Sequence, residues 1–161
     1  MMMVRVIAIL SVCCLLSGQS SEGNDLDSAF EKDILIIAAS KHACYVFDIY
    51  IAMTRAQQSR GLMHVRYMPK FTGMLFVYRQ PRVLSMWMKN TYMPLDMLFI
   101  RADGSIANIV TNTEPLSLES IHASEPLNFV LELNAGVTER LGIDTQSRVY
   151  FSGGSNAKEK M

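Results

Sequence analysis

The feature that most limits what this chain can fold into is a repeated alternation of apolar and polar residues. In residues 127–133 leucine or phenylalanine occupies every second position, and in residues 45–51 every odd position is apolar while Asp48 falls on the other face. Successive side chains of a β-strand point to opposite faces, so this alternation predicts strands with one buried face. The chain is therefore predicted to be built mainly from β-strands.

Turn signals separate the other strand-like segments. Residues 97–100 and 105–110 flank Asp103-Gly104, a pair typical of hairpin turns because glycine accepts a positive φ without steric cost. Three further strands are predicted at residues 74–78, 83–88 and 148–151. A turn at residues 79–82 separates the first two of these three strands.

Two short helices are predicted between the strands. Thr54 and Gln57 have the spacing of a capping box, so a helix is predicted from Thr54 to about Met63. Asn134 is a favourable N-cap for a second helix over residues 135–141, and Gly142 suits its end. The predicted fold class is mainly β (α+β), a small antiparallel barrel or sandwich with two short helices.

The N-terminus has the pattern of a secretory signal peptide over residues 1–20. Arg5 precedes the apolar run 6–16, and small and polar residues follow at 17–21. The run is shorter than the ~20 residues of a membrane-spanning helix, so no span is expected after cleavage. The sequence therefore predicts export to the periplasm or the extracellular space. A retained membrane anchor and lipoprotein anchoring at Cys13 are the alternatives.

Composition and segment boundaries predict one folded domain at residues 34–151. Apolar residues make up 50% of the chain and charged residues 19%, which is sufficient for a core. The acidic residues 21–33 are predicted to be a polar leader or linker, and the glycine-rich residues 152–161 a flexible tail. The 15 basic and 15 acidic residues balance, which argues against nucleic acid as a partner.

Cys44 is the single cysteine left after signal cleavage, so no internal disulfide is expected. Free cysteine is usually buried, and Cys44 is predicted to be a small buried side chain at the start of a strand. A nucleophile or a metal ligand is the alternative. The three histidines lack zinc-site spacing and no cofactor fingerprint occurs, so neither a metal nor a cofactor is predicted.

Five short motifs follow one another in the middle of the chain: Gly61-Leu62-Met63, Gly73-Met74-Leu75-Phe76, Met86-Trp87-Met88-Lys89-Asn90-Thr91, Pro94-Leu95-Asp96 and Val130-Leu131-Glu132-Leu133-Asn134-Ala135-Gly136. Together they resemble the bacterial and archaeal family called domain of unknown function 192. The resemblance spans residues 45–151, with Met86 where many relatives carry an aromatic residue and with His64 outside the pattern. It implies a small, mainly β domain, often exported, without an established activity.

The segment around the single tryptophan is the candidate binding site. An indole beside an amine and an amide offers apolar contact area together with groups that orient a small polar or sugar-like ligand. A protein partner is the other candidate. For these residues taken alone a structural role is the favoured interpretation, with Trp87 in the core and Lys89, Asn90 and Thr91 fixing the turn. The proposed ligand-binding residues are Trp87, Lys89, Asn90, Thr91, Asp96, Arg60, Glu132 and Asn134.

A hydrolase-like enzyme is a second hypothesis. Asp96 and Glu132 lie in otherwise apolar strands, where an unpaired carboxylate is costly to bury. If both met Lys89 in one cleft, two acids and a base could support general acid–base chemistry. No catalytic residue is assigned, and an enzyme is less favoured than a binding module.

Methionine-rich sequence suggests a third hypothesis, the binding of a soft metal ion such as Cu(I). Thioethers are suitable ligands for that ion, whereas methionine also fills gaps in apolar cores. Packing is the favoured interpretation. The seven methionines concerned are Met63, Met68, Met74, Met86, Met88, Met93 and Met97.

Overall fold

The computed structural model describes residues 25–39 and 43–151. The predicted signal peptide, with Cys13, and the predicted tail at 152–161 lie outside the described residues. The elements in chain order are α1 (Asp25–Ala29), β1 (Glu31–Ala39), β2 (Ala43–Ala52), α2 (Arg55–Arg60), β3 (Thr72–Met86), β4 (Leu95–Ile100), β5 (Ile106–Val110), β6 (Ile121–Asn134), α3 (Val137–Leu141) and β7 (Arg148–Phe151).

The seven strands of the described chain form one curled sheet, a half-barrel, in the order β5-β4-β6-β3-β2-β1-β7. Strands β2 and β3 pair in parallel, and the other neighbours pair antiparallel. The turn between β4 and β5 contacts β7, the strand at the other edge of the sheet. There the Val149 N–H donates to the Gly104 carbonyl oxygen at 2.9 Å. The predicted mainly β fold with short helices is confirmed.

Two apolar clusters cover the two faces of the sheet, as strand alternation requires. The first core cluster includes Val130 of β6 and Met74 of β3. The second core cluster includes the adjacent residues Leu131 and Leu75, together with Val137 of α3. The two faces thus pack against different parts of the chain. The side chain of each polar residue in β4 or β6 points to one of these faces and not to the other.

Strand β3 is one long strand, so the prediction of two strands with a turn at 79–82 is wrong. The register with β6 shifts between Val77 and Arg82, whose partners Phe129 and Leu127 lie only two residues apart. Such an irregularity accommodates Pro81, which cannot donate a ladder hydrogen bond. The bulged segment bends the strand without ending it.

The folded part of the chain begins earlier than the sequence pattern indicates. Helix α1 and the first residues of β1 lie within the segment predicted to be a polar leader, which makes three short helices instead of two. Leu26 and Phe30 are buried in the first core cluster. The Tyr50 hydroxyl donates to the Asp27 carboxylate at 2.6 Å, and Lys32 pairs with the same carboxylate at 2.7 Å. The acidic composition concealed these two anchoring apolar residues.

The capping box of α2 is confirmed. The Gln57 N–H donates to the Thr54 hydroxyl oxygen at 3.2 Å, and the Thr54 N–H donates to the Gln57 side-chain oxygen at 3.0 Å. Gly142 ends α3 in the left-handed conformation, also as predicted. None of the three described helices has the length and apolar character needed to cross a membrane.

Two local predictions are wrong. Asn134 is the last residue of β6 and not the N-cap of α3, because Gly136, with a φ of 73°, occupies the cap position. The Asn134 amide instead donates to the carbonyl oxygens of Met68 and Pro69, each at 3.0 Å. Cys44 is exposed, because the even-numbered positions at this end of β2 point away from the core.

Candidate functional site

A cavity of about 320 Å³ lies between α2 and β3. One wall is α2 with the turn that follows it, and the opposite wall is the bent strand β3 with the turn after its last residue. Glu132 of β6 also lines the cavity. The cavity therefore collects side chains from parts of the chain that are far apart in sequence.

Side-chain amides fix α2 over the sheet. Gln58 Nε2 donates to the Val77 carbonyl oxygen at 2.8 Å, and Gln57 Nε2 donates to the Ala29 carbonyl oxygen at 3.0 Å. Gly61 ends the helix with a φ of 48°, and a Cβ atom there would lie 3.1 Å from Phe76 Cζ. Glycine thus allows the chain to turn closely against β3, which sets the position of this wall.

The turn after β3 presents an aromatic and a cationic side chain at the cavity. Trp87 is 46% exposed, and Lys89 Nζ lies 5.2 Å from the centroid of its ring. Met88 between them is buried, and its N–H donates to the Ser117 carbonyl oxygen at 3.1 Å. Met88, and not Trp87, is thus the packing anchor, so the favoured structural interpretation that placed the indole in the core is wrong.

Glu132 is a buried carboxyl without a partner. It is 4% exposed and faces the first core cluster, where its neighbours across the sheet are Met74 of β3 and Met97 of β4. Among the described residues no group forms a hydrogen bond or ion pair with its side chain. Burial raises the pKa of Glu132 from 4.5 to about 8 because it penalises the charged form. At pH 7 the cavity therefore contains a neutral carboxylic acid.

Tyr78 and Arg82 extend the polar lining beyond what sequence analysis indicated. The guanidinium carbon of Arg82 lies 4.4 Å from the centroid of the Tyr78 ring. Burial raises the pKa of Tyr78, Arg82 partly opposes that rise, and the nearby Glu132 adds slightly to it. The alternation of Met74, Phe76 and Tyr78 was a signal for the tyrosine. No sequence signal indicated Arg82, because its position depends on the bulge in β3.

The structure brings five of the eight proposed site residues together. Two others, Asn90 and Asn134, do not line the cavity. Asn90 has a φ of 55° and its carbonyl oxygen accepts a hydrogen bond from the His64 N–H at 2.9 Å, so its part is to shape the turn. The five that line the cavity are Arg60, Trp87, Lys89, Thr91 and Glu132.

Asp96, the eighth proposed residue, lies on the other face of the sheet from Glu132. Its partner in β6 is Leu133, whereas Glu132 is opposite Met97, and successive residues of a strand face opposite ways. The Asp96 carboxylate is fully buried and accepts three hydrogen bonds, from the Asn112 N–H and the Thr138 N–H at 3.0 Å and the Thr138 hydroxyl at 2.7 Å. The hydrolase-like hypothesis requires Lys89, Asp96 and Glu132 in one cleft, and the structure does not bring the three together.

Packing accounts for most of the methionines. Met63 is the exception, being only partly buried and lining the cavity. In the described segments no group of three or more histidine, cysteine, aspartate or glutamate side chains is placed to hold a metal ion. Six methionines belong to the first core cluster: Met68, Met74, Met86, Met88, Met93 and Met97.

Comparisons with known proteins agree with this architecture. A solved structure from Sinorhizobium meliloti 1021, described as a "putative transcription regulator", is 40% identical, covers 77% of this chain and 96% of its own, and superposes with a TM-score of 0.76. A protein of unknown function from Novosphingobium aromaticivorans DSM 12444 is 32% identical, with 76% and 87% covered and a TM-score of 0.73.

No curated protein shows a significant match to this chain. The family model DUF192, described as uncharacterized ACR, matches residues 36–151. That match covers most of the described strands and confirms the resemblance carried by the five motifs. The chain therefore belongs to the DUF192 family.

Proposed function

We propose that the protein is a binding module that takes up a small polar ligand in the cavity between α2 and β3. The observation that carries the proposal is the unpartnered Glu132 carboxyl, 4% exposed and lining that cavity. A carboxyl with so little access to water is poorly solvated, and a ligand that pairs with it from the cavity supplies the missing hydrogen bonds. The carboxyl is therefore a preformed attachment point.

The remaining lining suits a small ligand. A volume of about 320 Å³ is near the lower end of the range of ligand pockets in proteins. The half-exposed indole of Trp87 offers a flat apolar surface, while Lys89 and Thr91 contribute polar groups beside it. A ligand with one flat or hydrocarbon side and several hydroxyl or amide groups matches this combination.

Binding without catalysis is favoured because the acid–base arrangement of the hydrolase hypothesis is missing from the cavity, where Glu132 stands without Asp96. The name of the Sinorhizobium relative raises DNA as a partner. The equal numbers of basic and acidic residues do not favour nucleic acid for this chain. A protein partner is the alternative to a small ligand.

We also propose that the protein is exported. The support is the charged, apolar and small-residue order of residues 1–20, which is typical of signal peptides. A cavity ligand would then be a compound that the domain meets in the periplasm or outside the cell.

A thermal-shift screen against sugars, nucleotides, peptides and soft metal ions tests the binding proposal. A compound that binds only the folded protein raises the unfolding midpoint. We expect at least one sugar-like or similarly polar compound to do so, and we expect Trp87→Ala to remove the response. The free Trp87→Ala protein should keep nearly the wild-type midpoint, because the indole is half exposed.

Tyr150→Ala is the matched control, since Tyr150 is an aromatic residue of similar exposure, at 52%, that does not line the cavity. It should leave the response intact. A response that survives Trp87→Ala, or the absence of any response across the four classes, contradicts binding in this cavity and favours a protein partner.

A further inference from the structure

We infer that the ligand is a small organic anion whose charged group lies at the cavity mouth, because four cationic side chains surround a cavity with one buried carboxyl. This inference rests on the proposed function and specifies the class of compound. The cations come from α2 and from both parts of the opposite wall. They are Arg55, Arg60, Arg82 and Lys89.

The charged side chains of the lining are mostly cationic. Among the described lining residues Glu132 is the one acid, so the cavity has a formal excess of three positive charges even when Glu132 is ionised. With the pKa of Glu132 raised to about 8, the excess is close to four at pH 7. Cations that line one cavity repel one another, and an anionic ligand relieves that repulsion while a cationic ligand increases it.

Three of these cations lie over aromatic rings, Arg60 over Phe30 at 5.4 Å from the ring centroid and two on the opposite wall. Arg82 lies over Tyr78 and Lys89 lies over Trp87, at 4.4 and 5.2 Å from the ring centroids. Neither forms an ion pair with an acidic residue of the described chain. A guanidinium and an ammonium fixed at the mouth of a cavity are suited to a carboxylate or phosphate group.

The buried side of the cavity explains why the anionic group belongs at the mouth. Desolvation makes the charged form of Glu132 unfavourable, and the same penalty applies to a ligand charge placed beside it. An uncharged hydroxyl or carbonyl can instead accept the hydrogen of the neutral carboxyl. The ligand is thus polar and uncharged at its inner end and anionic at its outer end.

Glucose, glucuronate and glucosamine test this inference, since they share a hexose ring and differ in charge. By isothermal titration calorimetry we expect glucuronate to bind at least tenfold more tightly than glucose, and glucosamine more weakly than either. We expect Arg82→Gln and Lys89→Gln each to weaken glucuronate binding about tenfold, because each removes a charge-assisted hydrogen bond. Glucose binding should change less than twofold.

Arg79→Gln is the control, because Arg79 is an exposed arginine of the same strand that does not line the cavity. It should leave glucuronate affinity within twofold. Equal or tighter binding of glucose or glucosamine, an equal loss in Arg79→Gln, or no binding of any of the three overturns the anion inference. The proposed function would still stand if the thermal-shift response depends on Trp87, so the two failures are distinguishable.

Discussion

Replacing Glu132 with glutamine is expected to stabilise the folded protein by about 3 kcal/mol at pH 7. The pKa of the Glu132 carboxyl is 4.5 when exposed and about 8 in the folded protein, because burial disfavours the charged form. Folding at pH 7 therefore requires the uptake of a proton by a group that is ionised in the unfolded chain. Glutamine has the same shape and needs no proton.

The direction of the pH dependence follows from the raised pKa. Below pH 4.5 the folded and the unfolded states both carry the proton, so the wild-type protein and Glu132→Gln should have similar stability. Between pH 4.5 and about 8 only the folded state carries it, and wild-type stability falls by about 1.4 kcal/mol per pH unit from this group. Above pH 8 the difference between the two proteins becomes constant.

Urea denaturation of the wild type and of Glu132→Gln at pH 4, 7 and 9 measures the difference in their free energies of unfolding. The contributions of the other titrating groups are the same in both proteins and cancel at each pH. Glu119→Gln is the control, since Glu119 is exposed. The Glu119→Gln protein should have the same stability as the wild type at each of the three pH values. A Glu132→Gln protein that is less stable than the wild type at pH 7 would show that the carboxylate has a partner in the folded state.

The expected gain explains why Glu132 is interpreted as a site residue. A single substitution that keeps the shape and adds stability marks a position where stability is traded for another property. Replacing the carboxyl is also expected to weaken ligand binding, because the amide N–H is a weaker hydrogen-bond donor than the carboxylic O–H. The stability and binding effects of Glu132→Gln should therefore have opposite signs.

Asp96→Ala is expected to destabilise the protein by about 4 kcal/mol, the largest loss expected for a single acidic residue here. The substitution removes the acceptor of three hydrogen bonds, and it leaves the two donors of Thr138 buried without a partner. The loss separates β4 from the start of α3, which the carboxylate holds together. Denaturant unfolding at pH 7 measures it.

Asp48→Ala is the control, because Asp48 is an exposed strand residue, and it should change stability by less than about 0.5 kcal/mol. Asp96→Asn keeps one acceptor oxygen, so its loss of stability should lie between those of Asp48→Ala and Asp96→Ala. Because Asp96 does not line the cavity, Asp96→Asn should bind the ligand with wild-type affinity. A loss of binding without a loss of stability would restore Asp96 to the functional site.

Local patterns predicted much of the fold. The alternation at residues 45–51 and 127–133, the Asp103-Gly104 turn and the capping box at Thr54 each depend on a few neighbouring residues, and each occurs as expected. The continuity of β3 and the start of the domain at α1 were missed, because a bulged register and the burial of Leu26 depend on distant strands.

The candidate site was predictable only where its residues are close in sequence. Trp87, Lys89 and Thr91 come from one turn and were found from their spacing. Asp96 and Glu132 each had a definite face within their own strand, but the register between β4 and β6 decides that those faces are opposite. Arg82 reaches the cavity through a bulge that no short pattern signals.

The most direct test of this account is the titration of the Glu132 side-chain carboxyl carbon by ¹³C NMR in the folded protein. If the carboxyl is buried in the cavity lining without a partner, its midpoint lies near pH 8. A midpoint near 4.5, the ordinary value for glutamate, would mean that the group is solvated or paired. The attachment point proposed for the ligand would then not exist.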